Sequence, residues 1–263
     1  MESKSQRRRA ATVLVATLSE KGIAVRLPCH HDQRVPRIDR HEVNGVTLAV
    51  RSWPCRQAAS PPVVLLPGTG ATAGDWDVIA AELSADRTVF AVDLRGHGKS
   101  SWPGTYAISL MAHDVAGLLP MLAAAEVDLV GHSLGGLVAC QVAASGKARV
   151  RRLVLEDTGM PHPRPAETPA RPAGPLSFDW AVTDQIRPEI DQPDPRWPQI
   201  MAAIQVPTLV IGGGASSFLP QEYVEELAAT VAHGTRITID AGHLVHATKP
   251  GAFLPALKTF LDS

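Results

Sequence analysis

Short apolar runs alternate with segments of helical periodicity from residue 61 onward, and this alternation limits the possible folds most strongly. The runs VVLL, TVFAV, VDLV, RLVLE and TLVIG are four or five residues long. Continuous apolar runs of this length are typical of parallel strands that are covered on both faces, and parallel neighbours require crossover helices. We therefore predict an α/β fold: a mostly parallel, twisted sheet of about eight strands with helices on both faces.

Two other regions depart from this alternation. The stretch HEVNGVTLAVRSW, starting at His41, predicts two strands that turn at Asn44-Gly45 and pair antiparallel at one edge. We place residues 1–40 in a loose N-terminal extension and residues 41–263 in one domain. Residues 158–205 are rich in proline, which disfavours long helices at the start of this segment, and we treat them as an insert in the domain.

Composition excludes several classes of protein. The formal net charge of -1 gives no general attraction to nucleic acid or to an anionic membrane, and the sequence leaves the oligomeric state open. Three scattered cysteines do not form a disulfide framework, so we expect a cytoplasmic protein. The basic cluster and apolar run near the N-terminus leave export as an alternative, but that run is too short for a membrane span.

The stretch CHHD, at residues 29–32, contains residue types that ligate metals. Adjacent side chains of an extended segment point in different directions, and no second cluster is spaced to complete a site. We therefore predict no metal and no cofactor.

Residues 130–139, VGHSLGGLVA, place a serine at a predicted turn from strand to helix. The residues Gly131 to Gly135 fit G-x-S-x-G, in which small residues around the serine allow the strand and the helix to approach each other. Such a turn raises the hydroxyl of Ser133 above the sheet, where a base can reach it. The alternative is a serine that only caps the helix.

A serine nucleophile requires a base, and His243 follows the last predicted strand in the stretch DAGHLVH. The carboxyl ends of parallel strands meet at one edge of the sheet, so Ser133 and His243 are expected there together. His246, three residues later, is expected at the side of a helix or at the rim of the pocket.

With these motifs in order, the chain resembles the α/β-hydrolase fold family from about Glu42 to the C-terminus. The resemblance rests on LLPGTGATAGDW, VDLRGHGKS, VGHSLGG and DAGHLVHATKP. It implies a serine–acid–histidine triad and an oxyanion hole of backbone N–H groups, here those of Thr69 and Leu134. Pro67 stands where the family usually has histidine. Asp93, Arg95 and Asp114 are expected to brace the loop that carries the oxyanion donors.

The acid departs from the common pattern of the family. The stretch GGASSFLP, after the strand TLVIG, contains no carboxylate, and Ser216 stands near the usual position. Some members place the acid at the end of the preceding strand, which here ends in Asp157. Glu156 should then point to the opposite face, because side chains alternate along a strand. Asp157 is our predicted acid and Glu222 the reserve candidate.

The resemblance also gives residues 158–205 the position of a cap, here short and proline-rich. Our candidates for pocket walls are Phe178, Trp180, Trp197 and His246.

We expect a serine hydrolase that cleaves a small acyl substrate, by default a carboxylic ester, through an acyl-enzyme. Cleavage of C–C bonds, lactones or thioesters and cofactor-free haloperoxidase activity use nearly the same core. A serine nucleophile argues against epoxide hydrolases and haloalkane dehalogenases.

Two hypotheses of other classes remain. One is a hydrolase-fold protein that binds a small molecule without turnover. The other is dinucleotide binding, suggested by GTGATAG between a strand and a helix, although its third glycine is displaced and the hypothesis assigns no role to Ser133 or His243.

Overall fold

The computed structural model describes residues 35–123 and 126–263. One sheet contains eight strands in the order β1-β2-β4-β3-β5-β6-β7-β8. Their bounds are Arg37–Val43 (β1), Val46–Trp53 (β2), Val63–Leu66 (β3), Val89–Val92 (β4), Val127–His132 (β5), Val150–Glu156 (β6), Thr208–Gly212 (β7) and Gly234–Thr238 (β8). From β4 onward along this order the strands pair in parallel, which confirms the predicted fold class.

Eight α-helices connect or follow these strands within the described residues. They are Asp77–Leu83 (α1), Ile108–Leu122 (α2), Leu134–Ala144 (α3), Ala181–Asp191 (α4), Trp197–Ala202 (α5), Gln221–Thr230 (α6), Val245–Thr248 (α7) and Pro250–Asp262 (α8). Helix α2 continues through Pro120 to Leu122, since the proline lies in the last turn, and its N-cap residue is Ala107.

The antiparallel edge is the β1–β2 hairpin. Asn44 and Gly45 both adopt positive φ, 49° and 79°, as a two-residue hairpin turn requires. Strand β1 starts at Arg37, opposite Ser52, which is four residues before the predicted start of the domain at residue 41. The CHHD stretch and the basic N-terminal cluster lie outside the described residues.

Alternate residues of the sheet pack into two apolar cores, one on each face. Val64 and Leu66 of β3 lie in the core that contains α2, α3, α5 and α6. Val63 and Leu65 lie in the core that contains α1 and α8. The sheet is therefore covered by helices on both faces.

Residues 158–180 form no helix, and α4 and α5 follow them. The first part of this segment is attached to α4 through Asp191, which is buried. Oδ1 of Asp191 accepts hydrogen bonds from Nε of Arg164 at 2.6 Å and from Nε of Arg187 at 2.8 Å. Its Oδ2 accepts from the backbone N–H of Glu167 at 3.0 Å. One buried carboxylate thus fixes a coil that has little regular structure of its own.

Candidate active site

Ser133 occupies the junction between β5 and α3 with φ 52° and ψ −117°, a conformation that side-chain-bearing residues rarely adopt. Its side chain makes no capping hydrogen bond to the helix, so the alternative of a simple N-cap serine does not hold. A Cβ atom on Gly131 would lie 2.3 Å from the carbonyl oxygen of Gly135, and one on Gly135 would lie 2.5 Å from that of Leu66. Only glycine fits either position, and this close packing holds the strained turn.

The two predicted oxyanion donors, Thr69 and Leu134, line the pocket that contains Ser133. Leu134 is the first residue of α3, so its N–H has no acceptor within the helix. Thr69 follows β3 and lines the same pocket as Ser133 and Leu134. The N–H of Ser133 itself donates to the carbonyl oxygen of Glu156 at 3.1 Å, which anchors the turn to the neighbouring strand.

Asp157 and His243 are in direct contact. Nδ1 of His243 lies 2.7 Å from Oδ2 of Asp157, and the carboxylate is fully buried. A carboxylate on Nδ1 holds the proton there and leaves Nε2 as the basic nitrogen. Asp157 has a φ of 40° just after β6, so its backbone, like that of Ser133, is strained.

Asp157 also has a set of donors that the sequence did not reveal. Its Oδ1 accepts from the N–H of Gly213 at 2.8 Å and from Nε2 of Gln221 at 3.2 Å, and Ser217 donates its hydroxyl to Oδ2. Burial opposes ionisation, but the hydrogen bonds from His243, Ser217, Gly213 and Gln221 outweigh it and lower the pKa of Asp157. Asp157 is therefore a stable anion.

Ser217 follows Ser216, the residue that the sequence placed near the usual acid position of the family, and its hydroxyl donates a hydrogen bond to the Asp157 carboxylate. Glu222, the reserve acid, is exposed on α6. Among the described residues, Glu222 makes no hydrogen bond to His243.

Ser133, Asp157 and His243 line one pocket. Within the described part of the chain, no hydrogen bond joins Oγ of Ser133 to His243. Catalytic hydrogen bonds are often long in unliganded enzymes and shorten when substrate binds. The ring of Phe218, which is largely exposed, lies against that of His243 with centroids 4.3 Å apart.

Glu156 and His246 form a second acid–histidine pair. Nδ1 of His246 lies 2.9 Å from Oε1 and 2.8 Å from Oε2 of Glu156. The backbone N–H of His246 also donates to Oε1, at 2.8 Å. The His246 ring stacks on Trp76 with centroids 4.1 Å apart. His246 lies buried in α7 and does not line this pocket, so of its two predicted places it takes the side of a helix and not the pocket rim.

His132, the residue before Ser133, was not singled out in the sequence. Its Nε2 lies 2.9 Å from the carbonyl oxygen of His243, so Nε2 must carry a proton and donate it. Burial lowers the pKa of His132 to about 4, which keeps the ring neutral at pH 7. The turn at Ser133 is thereby connected to the backbone of the loop that carries His243.

The pocket has a volume of about 770 Å³. Its wall is mainly apolar, and much of it comes from the segment 158–205. The apolar wall includes Leu134, Leu137, Met160, Pro161, Ile186, Ile190 and Leu219. These residues are scattered over α3, the insert of residues 158–205 and the loop before α6, so no local pattern in the sequence identifies them.

The predicted aromatic walls are not part of this pocket. Trp197 is buried in the core under α3, and Phe178 stacks on His97 with ring centroids 5.6 Å apart. Trp180 contacts the ring of Phe178 at 6.1 Å. Trp197 and Phe178 pack against the core, and the insert presents smaller apolar residues such as Met160 and Ile186 to the pocket.

The brace predicted from VDLRGHGKS is present. Oδ1 of Asp93 accepts from the N–H of Ala73 at 2.7 Å, and its Oδ2 accepts from that of Lys99 at 2.8 Å. Arg95 donates to Asp114 through Nε and an Nη group at 2.7 and 2.8 Å in a buried pair. The Asp93–Ala73 bond fixes the loop after β4 against the loop after β3, and the Arg95–Asp114 pair fixes it against α2.

No cluster of three or more metal-ligating side chains occurs among residues 35–123 and 126–263. Within the same ranges, no helix combines the length and apolarity needed to cross a bilayer.

Comparison with known proteins agrees with this geometry. A family model described as the alpha/beta hydrolase fold matches residues 61–203. The chain belongs to the α/β-hydrolase fold family. It is therefore an enzyme of the hydrolase class.

Named relatives cover most of the hydrolase chain. An esterase of Mycobacterium tuberculosis, Rv0045c, is 27% identical, with 87% of this chain and 90% of the relative aligned. The esterase YbfF of Escherichia coli is 25% identical over 78% of this chain and 95% of its own. The crystal structure of the enol-lactonase from Burkholderia xenovorans LB400 superposes with a TM-score of 0.71 at 25% identity, covering 86% of this chain and all of that one (100%).

Proposed function

We propose that this hydrolase cleaves carboxylic esters through an acyl-enzyme formed on Ser133. The observation that carries the proposal is the 2.7 Å contact between the buried Asp157 carboxylate and Nδ1 of His243, in one pocket with a serine on a strained strand-to-helix turn. The esterase names of the relatives in Mycobacterium tuberculosis and Escherichia coli support an ester as the substrate.

Acylation follows from this arrangement. Nε2 of His243 takes the proton of the Ser133 hydroxyl as Oγ attacks the ester carbonyl carbon. The resulting tetrahedral oxyanion accepts hydrogen bonds from the N–H groups of Thr69 and Leu134, and each such donor contributes about 3 kcal/mol. The C–O bond to the alcohol then breaks, and the alcohol leaves with the proton from Nε2.

Deacylation repeats the same steps with water. His243 removes a proton from a water molecule, whose oxygen attacks the acyl carbon. Collapse of the second oxyanion breaks the bond to Oγ, and the proton on Nε2 returns to Ser133. Asp157 stays ionised throughout and stabilises the imidazolium in both halves, as its lowered pKa supports.

The apolar wall of the pocket favours an acyl chain longer than acetyl. Each methylene group removed from water contributes about 0.8 kcal/mol, so each should raise kcat/KM about fourfold while the chain still fits. A panel of p-nitrophenyl esters of graded chain length measures this trend directly.

The decisive test uses Ser133→Ala together with a fluorophosphonate probe. Wild-type protein should lose esterase activity as the probe attaches to Ser133, located by peptide mass spectrometry. The variant should show neither turnover nor labelling, with an unchanged melting temperature. Labelling that is absent from a folded wild-type protein would instead support a hydrolase-fold protein that binds without turnover.

Lactone hydrolysis is the second candidate, because the enol-lactonase is a structural neighbour. A lactone is a cyclic ester and would react through the same steps. Including a lactone beside the open-chain esters separates the two substrate classes by kcat/KM.

The proposal also includes a cytoplasmic location, which the scattered cysteines support. It includes no nucleic-acid partner, which the net charge of -1 supports.

A further inference from the structure

The turn that carries the proposed oxyanion donor Thr69 has two possible peptide orientations. The N–H of Ala71 donates to the carbonyl oxygen of Gly68 at 3.2 Å, and Gly70 has a φ of 77°. A four-residue turn with positive φ at its third residue has the pattern of type II, and rotating its central peptide by about 180° gives type I. The Thr69–Gly70 peptide is that central peptide, so something must hold its orientation.

His97 supplies the acceptor that holds it. The N–H of Gly70 donates to Nε2 of His97 at 3.1 Å. Nδ1 of the same ring lies 3.1 Å from the carbonyl oxygen of Arg95, so Nδ1 carries the proton and Nε2 has a free lone pair. In the rotated orientation, the Thr69 carbonyl oxygen would face that lone pair, which is repulsive.

The His97 ring is fully buried, and burial lowers its pKa although the Arg95 carbonyl and the Asp93 carboxylate both favour the charged form. The neutral ring with the proton on Nδ1 therefore persists at pH 7. A ring that is fixed in position and in tautomer is suited to orienting a neighbouring peptide.

The insert holds the same turn from the other side. Oγ of Ser177 donates to the carbonyl oxygen of Gly70 at 3.0 Å, and the N–H of Gly98 donates to the carbonyl oxygen of Ser177 at 2.7 Å. Phe178 stacks on His97, and its ring edge would lie 3.1 Å from a Cβ atom on Gly70. Both peptide groups of Gly70 are thus fixed, one by His97 and one by Ser177.

We propose that His97, supported by Ser177 and Phe178, holds the peptide groups on both sides of Gly70 and thereby fixes the position of Thr69 in the Gly68–Ala71 turn. The Thr69 N–H belongs to the preceding Gly68–Thr69 peptide, so His97 acts on this proposed oxyanion donor by fixing the turn that carries it. His97 is then a positioning residue, acting through Gly70 and not on substrate. This inference rests on the proposed function, because it assigns Thr69 to the oxyanion hole. It also gives the aromatic residue Phe178 a role other than the pocket wall predicted from the sequence.

Two amide variants of His97 separate the hydrogen bond to Gly70 from all other roles of the ring. The amide of glutamine reaches the position of Nε2, whereas that of asparagine reaches only the position of Nδ1. With p-nitrophenyl butyrate, His97→Asn should lower kcat about 10- to 100-fold, less than the loss of about 100- to 1000-fold on removing a donor altogether. KM should change little, because the lost interaction acts in the transition state. His97→Gln should recover most of the loss.

Ser177→Ala provides a third variant that keeps the buried ring intact. The hydroxyl contact it removes lies at the surface, so the protein should fold normally and lose kcat to a smaller extent than His97→Asn. If both His97 variants fail to fold, Ser177→Ala alone decides, and a kcat equal to that of wild type would overturn the proposal. Equal kcat in wild type, His97→Asn and His97→Gln would also overturn it.

Amide exchange of Gly70, measured by NMR on ¹⁵N-labelled protein, is independent of catalysis. It should be slow in wild type and His97→Gln and clearly faster in His97→Asn. If wild-type Ser133 reacts with neither ester nor fluorophosphonate, the proposed function fails, and the exchange rate still tests the hold on the turn. Fast exchange in wild type would show that His97 does not hold Gly70.

Discussion

The carboxylate of Glu156 binds Nδ1 of His246 through both oxygens, one residue before Asp157 binds His243. Consecutive side chains at the end of a strand point in different directions, so two similar pairs form side by side. Asp157 and His243 line the pocket, whereas Glu156 and His246 are buried away from it. Under the proposed function, these two similar pairs have different roles, catalysis for the pair in the pocket and stability for the buried pair.

Replacing Asp157 with asparagine should lower kcat by about ten-thousandfold, since an amide cannot hold the reactive tautomer of His243 or stabilise its cation. Steady-state kinetics with p-nitrophenyl butyrate measure the loss. The control is Glu222→Gln, which removes an exposed carboxylate on α6 and should leave kcat unchanged. A wild-type kcat in Asp157→Asn would contradict Asp157 as the acid. A large loss of kcat in Glu222→Gln would support Glu222 in its place.

Replacing Glu156 with alanine should lower the free energy of unfolding by about 3 kcal/mol, because the buried ring and backbone N–H groups of His246 lose their acceptor. The kcat should fall far less than in Asp157→Asn. Urea denaturation and kinetics on the same sample give both quantities. Glu82→Ala removes an exposed glutamate from α1 and should change stability by less than about 0.5 kcal/mol. A loss of activity without loss of stability in Glu156→Ala would contradict the structural role of this pair.

The sequence was sufficient for the sheet, the hairpin and the proximity of Ser133, Asp157 and His243. Each depends on a local pattern, such as an apolar run, a turn dipeptide or a residue that directly follows a strand. Parallel strands then bring the residues after their carboxyl ends together without any further information. Asp157 could be chosen because the loop after β7 has no carboxylate.

The pocket wall could not be predicted in the same way. Met160 and Ile186 meet there because Asp191 attaches the coil of the insert to α4, which is a tertiary contact between distant residues. His97 lies within a recognised motif, but its bond to Gly70 depends on the path of two separate loops. The aromatic side chains of Phe178 and Trp197 indicated that these positions make apolar contacts. Their identity alone could not show whether those contacts are with substrate or with the core.

The attachment of the insert through Asp191 predicts a pH dependence of stability. Burial opposes ionisation of Asp191, but the hydrogen bonds from Glu167, Arg187 and Arg164 outweigh it and lower its pKa to about 2. An unfolded aspartate titrates near pH 3.9, so above this pH the ionised group stabilises the fold fully, and the stabilisation is lost as the pH falls toward the folded pKa of about 2. Asp191→Asn should lower the melting temperature at pH 7 and flatten its decline between pH 4 and 2.

Asp194 is the matched control for Asp191. Its pKa is also lowered to about 2, by hydrogen bonds from Arg196, but this pair lies at the surface. Exposed ion pairs contribute little to stability, so Asp194→Asn should leave the melting temperature almost unchanged at every pH. If the two variants behave alike, Asp191 does not hold the insert.

Glycine at position 135 should be essential to the nucleophile turn. A Cβ atom there would lie 2.5 Å from the carbonyl oxygens of both Leu66 and Pro67, so Gly135→Ala must push α3 away from the loop that carries Thr69. We expect a loss of about 1 to 3 kcal/mol in stability and a fall in kcat, because Leu134 moves with the helix. Gly251→Ala, in the first turn of α8 with open space around it, should be neutral or stabilising by up to about 1 kcal/mol. Thermal melts and ester kinetics on both variants compare the two positions. Wild-type values for Gly135→Ala would mean that the turn relaxes around a methyl group and that its close packing is not what holds Ser133 in place.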